Sequence, residues 1–149
     1  MLITLQIEKP TMSEIFLNYY DIFVRHAFGN YLDVLREVAY SPMMGEMLSF
    51  VDSKSTTFVL KDTGDKVFPD ENFAREIMQL FTIGVHKLSM DGTPILDSNG
   101  HAIPTYDNSD IQTFSRAWTG YTRLPRRANI EGLNWYENRI DPMRIQGLW

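Results

Sequence analysis

The chain has 149 residues, 44% of them apolar and 13% aromatic, with a formal net charge of −5 and no cysteine. That length suits one domain with a single core, and the apolar share excludes a disordered chain. The acidic balance gives no general attraction to nucleic acid, and without cysteine neither disulfides nor thiolate chemistry is available.

The apolar runs are too short for a membrane span, so no transmembrane segment is expected. The opening "MLITLQIEKP" has neither a basic start nor a cleavage site, so this chain is expected to carry no signal peptide. Residues 1–12 have no clear period. The stretch "SEIFLNYYDIFVRHAF" does, with Ile15, Phe16, Tyr19, Phe23 and Ala27 at helical spacing, Ser13 as N-cap and Gly29 as the left-handed stop. Asn30 then caps a second helix whose Tyr31, Val34, Leu35 and Val38 share a face. Ser41 and Pro42 open a third, proline being free to take the first helical position. Residues 52–67 are polar, with "DTGD" as a turn and "TTFVL" reading as a short strand because threonine and valine favour extended backbone.

"FPDENFAREIMQLFTIGV", residues 68–85, predicts a helix capped by Asp70 and ended by Gly84. Phe73, Ala74, Ile77, Met78, Leu80 and Phe81 form its apolar face, and Asn72, Arg75, Glu76 and Gln79 its polar stripe. The helical period then breaks. Asp91-Gly92 and Asn99-Gly100 mark turns between short runs, which predicts a small meander of hairpins over about residues 86–106. Asp107 caps "NSDIQTFSRAW", with Asp110 at the capping-box position, Ile111, Phe114 and Trp118 as core stripe, and Gly120 as stop. Residues 122–149 lack a period and are rich in arginine and aromatics; no internal repeat is evident.

"ENFAREIMQLFTIGV" followed by a helix ending "RAWTGY" resembles the paired signature of the domain of unknown function 1800 family, E-N-[YF]-A-R-E…T-[LI]-G and then Y-T-x-x-D-[VI]…L-T-G-W. "VRHAFGNYLDVLREVAYSPMM" is similar to the stretch that precedes it, and the resemblance covers roughly residues 19–121. It implies a largely helical, bacterial-type protein, often exported, from a family without an established activity whose members run to several hundred residues. On that basis residues 1–149 are expected to be a single domain that is an incomplete slice of a larger helical one. Gln79, Phe81 and Tyr121 stand where many members have glutamate, histidine and tryptophan, and the W-H-N-H-F-like segment is absent.

The residue types allow three functional readings. The preferred one is a helical scaffold or interaction module, in which Asn72, Arg75, Glu76, Gln79, Asp110 and Arg116 form a structural polar network between helices. A second is part of a hydrolase-like enzyme using Arg75 as anion clamp and Glu76 as acid–base group. A third is a glycan- or envelope-binding module using Trp135, Tyr136, Arg126 and Arg127, since arginine beside aromatics stacks on sugars. His26, His86 and His101 lack ligand spacing, and "DSNGH" fails as a calcium loop because Ala102 and Asn108 stand where glycine and glutamate are needed. No metal or cofactor is expected. The partner expected is the remainder of a larger parent or another protein.

Overall fold

Side-chain caps open three of the described helices. In a computed structural model that describes residues 13–125 and 138–146, helix α1 spans Ser13–Arg25, α2 Tyr31–Tyr40, α3 Pro42–Met47, α4 Thr56–Thr63, α5 Asn72–Glu76 and α6 Asn108–Ser115. The protein is mainly α, and its contacts divide it into two compact units. One joins the residues up to Lys54 with those from Thr119 on; the other is Ser55–Trp118.

In the first unit the Asn30 side chain accepts from the Leu32 N–H at 2.9 Å, the expected cap of α2. Gly29 is not left-handed, contrary to expectation: α1 ends at Arg25, and the Gly29 N–H closes a turn onto the His26 carbonyl at 2.9 Å. Tyr19, Ile22, Val34, Val38, Met44 and Phe50 are buried. Two short antiparallel strands, β1 (Tyr121–Thr122) and β2 (Arg144–Ile145), return the later chain to these helices. The Asp52 N–H donates to the Tyr121 carbonyl at 2.7 Å and the Met143 N–H to the Tyr40 carbonyl at 2.7 Å. Tyr121, where the resemblance expects tryptophan, is buried with its ring 5.3 Å from Tyr40 and 5.7 Å from Phe50. Burial first, then the neighbouring Tyr40, pushes its phenol up to about 12.

In the second unit "TTFVL" is helical rather than extended. Ser55 accepts from the Phe58 N–H at 3.2 Å, and Gly64, at φ 80°, takes the left-handed stop, so the two ends override the strand preference of the residues between them. The helix predicted over residues 68–85 is α5 continued by a wider π-helical turn, Ile77–Phe81. Glu71, not Asp70, stands at the N-cap, while the Asp70 side chain accepts from the Asn72 N–H at 2.8 Å from one residue further back. The extra residue in a π turn rotates the later side chains about the helix axis. Phe73 and Ala74 are buried, whereas Leu80, expected on the apolar face, is 68% exposed. The Trp118 ring meets Phe73 edge-on at 4.6 Å and Phe114 at 5.6 Å, joining α5 to α6 and the 3-10 turn Arg116–Trp118. Asp107 and Asp110 complete the capping box of α6 from both sides.

The meander forms with bridges His86↔Pro104, Leu88↔Pro94 and Leu96↔Ala102. It also contains a repeat that was not expected. The N–H of Lys87 donates to Ile103, that of Ile103 to Ile95, and that of Ile95 to Lys87, each at 2.9 Å, so three segments close on one another in a ring. Gly92 and Gly100 hold equivalent turns at φ 85° and 82°. Asp91 and Asp97 fold back onto the backbone N–H groups of Thr93 and of Asn99 and His101.

Candidate functional site

The signature helix places its polar stripe unevenly. Asn72 and Gln79 are exposed. Arg75 is half-exposed and turns to Glu71 one turn back, 3.2 Å away. Glu76 is half-buried, and its Oε2 is enclosed with no hydrogen-bond partner among the described residues. Asp110 accepts from the Asp107 N–H at 2.9 Å, while Arg116 lies at the foot of the 3-10 turn. Trp135, Tyr136, Arg126 and Arg127 lie outside the described residues. Among the described residues no group of three or more His, Cys, Asp or Glu is placed to hold a metal ion, and no helix is long and apolar enough to cross a membrane.

Two constellations in the first unit escaped the sequence. In one, Glu46 on α3 receives three guanidinium N–H groups at its Oε1: Arg123 Nε at 3.1 Å, Arg123 Nη2 at 2.9 Å and Arg139 Nε at 2.6 Å. Arg123 also reaches Asp52 at 3.3 Å, next to the turn where Asp52 is held left-handed at φ 60°. The Glu46, Arg123 and Arg139 side chains are largely buried, so the cluster is a charged brace tying α3 to the later chain.

The other lies beside α1. A cleft of about 630 Å³ is lined by Asn18, Ile22 and Arg25 of α1, by Arg36, Glu37 and Tyr40 of α2 with Ser41 and Pro42, and by Ile140, Asp141 and Pro142. The Asn18 amide donates to the Ile140 carbonyl at 2.8 Å and closes one end. Glu37 is engaged on both oxygens, by His26 Nε2 at 2.6 Å and by Arg25. The His26 hydrogen bond, the largest influence, joins the Arg25 hydrogen bond and charge in holding its carboxyl below the usual carboxylate range, against burial, the second-largest influence, which pushes it up. Asp141 accepts from the Asn138 amide at 2.6 Å. Only the spacing of His26 and Glu37, one at the end of α1 and one on α2, could have hinted at the pair. Partners separated by 77 or 93 residues, as Arg123 and Arg139 are from Glu46, leave no local signal.

On the other side of α1, away from Tyr19 and Ile22, Leu17, Tyr20 and Val24 are 63%, 54% and 57% exposed. Their spacing places them on one stripe, with the exposed acids Glu14 and Asp21 along one edge.

These elements define a mainly helical protein that carries a small β meander between the two helices of a paired signature. The chain belongs to the family described as protein of unknown function (DUF1800), whose model matches residues 3–145, wider than the 19–121 marked by the motifs alone. No curated protein and no solved structure matches it.

Proposed function

We propose that the protein is a helical interaction module that docks a partner helix on the outer face of α1. The observation that carries this reading is the stripe of Leu17, Tyr20 and Val24, more than half exposed on a helix whose opposite face already supplies the core. Large apolar side chains aligned at helical spacing are the usual anchors of helix-to-helix docking. Glu14 and Asp21 beside the stripe, and the net charge of −5, select the partner: an amphipathic helix whose apolar stripe is flanked by lysine or arginine. A second copy of α1 would instead bring acids against acids in an antiparallel pairing.

The test is a calorimetric titration with two designed amphipathic peptides of equal apolar stripe, one lysine-flanked and one glutamate-flanked. The lysine-flanked peptide is expected to bind, more weakly as salt rises, and the Leu17→Asp/Val24→Asp variant to lose it. Equal binding of both peptides, or no binding of either, contradicts the reading.

A second reading, a hydrolase-like enzyme, is favoured by the enclosed Glu76 Oε2 one residue before a π turn, a feature frequent at functional sites. A hydrolytic turnover that disappears in Glu76→Gln at unchanged melting temperature would transfer the assignment to it.

A further inference from the structure

We infer that the cleft beside α1 is a binding site for a small apolar carboxylate, with Arg36 as its anion-binding residue. Volume comes first. At about 630 Å³ the cleft lies inside the range of sites that enclose small organic molecules, roughly 300–1,000 Å³. Its accessible apolar surface comes chiefly from Tyr40, Ile140 and Pro142, while Ile22 and Pro42, which also line it, are buried. Such a lining takes the hydrocarbon or aromatic body of a ligand and gives it no orientation. Orientation has to come from the polar groups.

Among the described residues four charged groups line the cleft, and their engagements differ. Glu37 is held at both oxygens, by His26 and by Arg25, so its charge is already matched. Asp141 takes the Asn138 amide at 2.6 Å. Arg25 is committed to Glu37. Arg36 differs: its contact among the described residues is one N–H to Asp33, at 3.3 Å on an exposed face. A pair of that length between exposed groups is weak. Guanidinium has five donors in a planar fork, so Arg36 can exchange this contact for a bidentate bond to a carboxylate. The engaged Glu37 presents little competing charge, and its depressed pKa keeps that engagement in place at neutral pH. The expected pose seats the apolar body on Ile140 and Pro142 and the carboxylate on Arg36. This site is independent of the α1 outer face, which lies on the other side of the helix.

The probe pair is naphthalene-1-acetate and naphthalene-1-acetamide, equal in body and different only in charge. The full chain, labelled with ¹⁵N, is titrated with each and monitored by amide shifts. The acetate is expected to saturate with shifts at Ile22, Ser41 and Ile140, and to bind about tenfold more tightly than the amide. Arg36→Gln is expected to remove that tenfold preference and Arg36→Lys to restore part of it. Arg36 is 64% exposed, so both variants should fold, which circular dichroism checks. Equal affinity for acetate and amide, shifts confined to other residues, unchanged binding in Arg36→Gln, or no saturable binding would each overturn the assignment.

Discussion

Two carboxylates on helices, Glu46 in the first unit and Glu76 in the second, meet opposite surroundings. Glu46 stands on α3 with no motif around it, yet three guanidinium N–H groups from two distant arginines converge on one of its oxygens. Glu76 stands in the most patterned stretch of the chain, yet its enclosed oxygen has no donor among the described residues. A local pattern announces where a helix forms and which face is apolar. It does not announce which polar group the folded chain will engage, because that depends on residues brought in from far along the sequence.

The contrast can be broken most sharply by neutralising each carboxylate. Glu46→Ala removes the carboxylate that Arg123 and Arg139 share, leaving Arg123 with Asp52, which should cost about 3 kcal/mol in urea unfolding. Glu76→Gln replaces a carboxylate whose enclosed Oε2 has no hydrogen-bond partner among the described residues, and should leave stability unchanged or raise it by about 1 kcal/mol. A loss at Glu76 as large as that at Glu46 would show that the signature stripe is a brace after all.

Smaller effects sharpen the comparison of how the two units begin their helices. Asp107→Ala should destabilise the second unit by about 1 kcal/mol, since the aspartate accepts from both Ser109 and Asp110 N–H groups. Amide exchange should quicken first in the opening turn of α6.

The smallest effect is a pH dependence confined to the first unit. Glu37 is depressed in the fold, so its contribution is fully present above its unfolded pKa, close to the ordinary 4.5, and is lost as pH falls through the lower folded value. Thermal melts from pH 5 downward should therefore decline less steeply in Glu37→Gln than in the parent chain. Because the pair is partly exposed, 0.5 M salt should flatten the difference.

Much of the fold was legible. Asn30, Asp107 and the Asp-Gly and Asn-Gly turns act through near neighbours, and each does in the structure what its residue type favours. The strand expected at "TTFVL" failed because Ser55 and Gly64 at its flanks outweigh the preference of the residues inside. The π turn at Ile77–Phe81 could not be read, since it arises from how the helix is packed rather than from its period. The ring of Lys87, Ile95 and Ile103 had a visible trace: the two turn glycines, Gly92 and Gly100, stand at the same phase of that spacing. The brace and the cleft were beyond reach, because Arg123, Arg139 and Ile140 meet the early helices across 77 to 122 residues of sequence.

The role given to α1 rests on its outer stripe being a docking face and not a part of the core. The melting temperature of Leu17→Asp/Val24→Asp tests that claim directly. If the stripe faces solvent, the double variant should melt within about 4 °C of the parent, since exposed substitutions change stability by about 0.5 kcal/mol or less each. A fall as large as the one caused by Glu46→Ala would place Leu17 and Val24 in the core and remove the docking face.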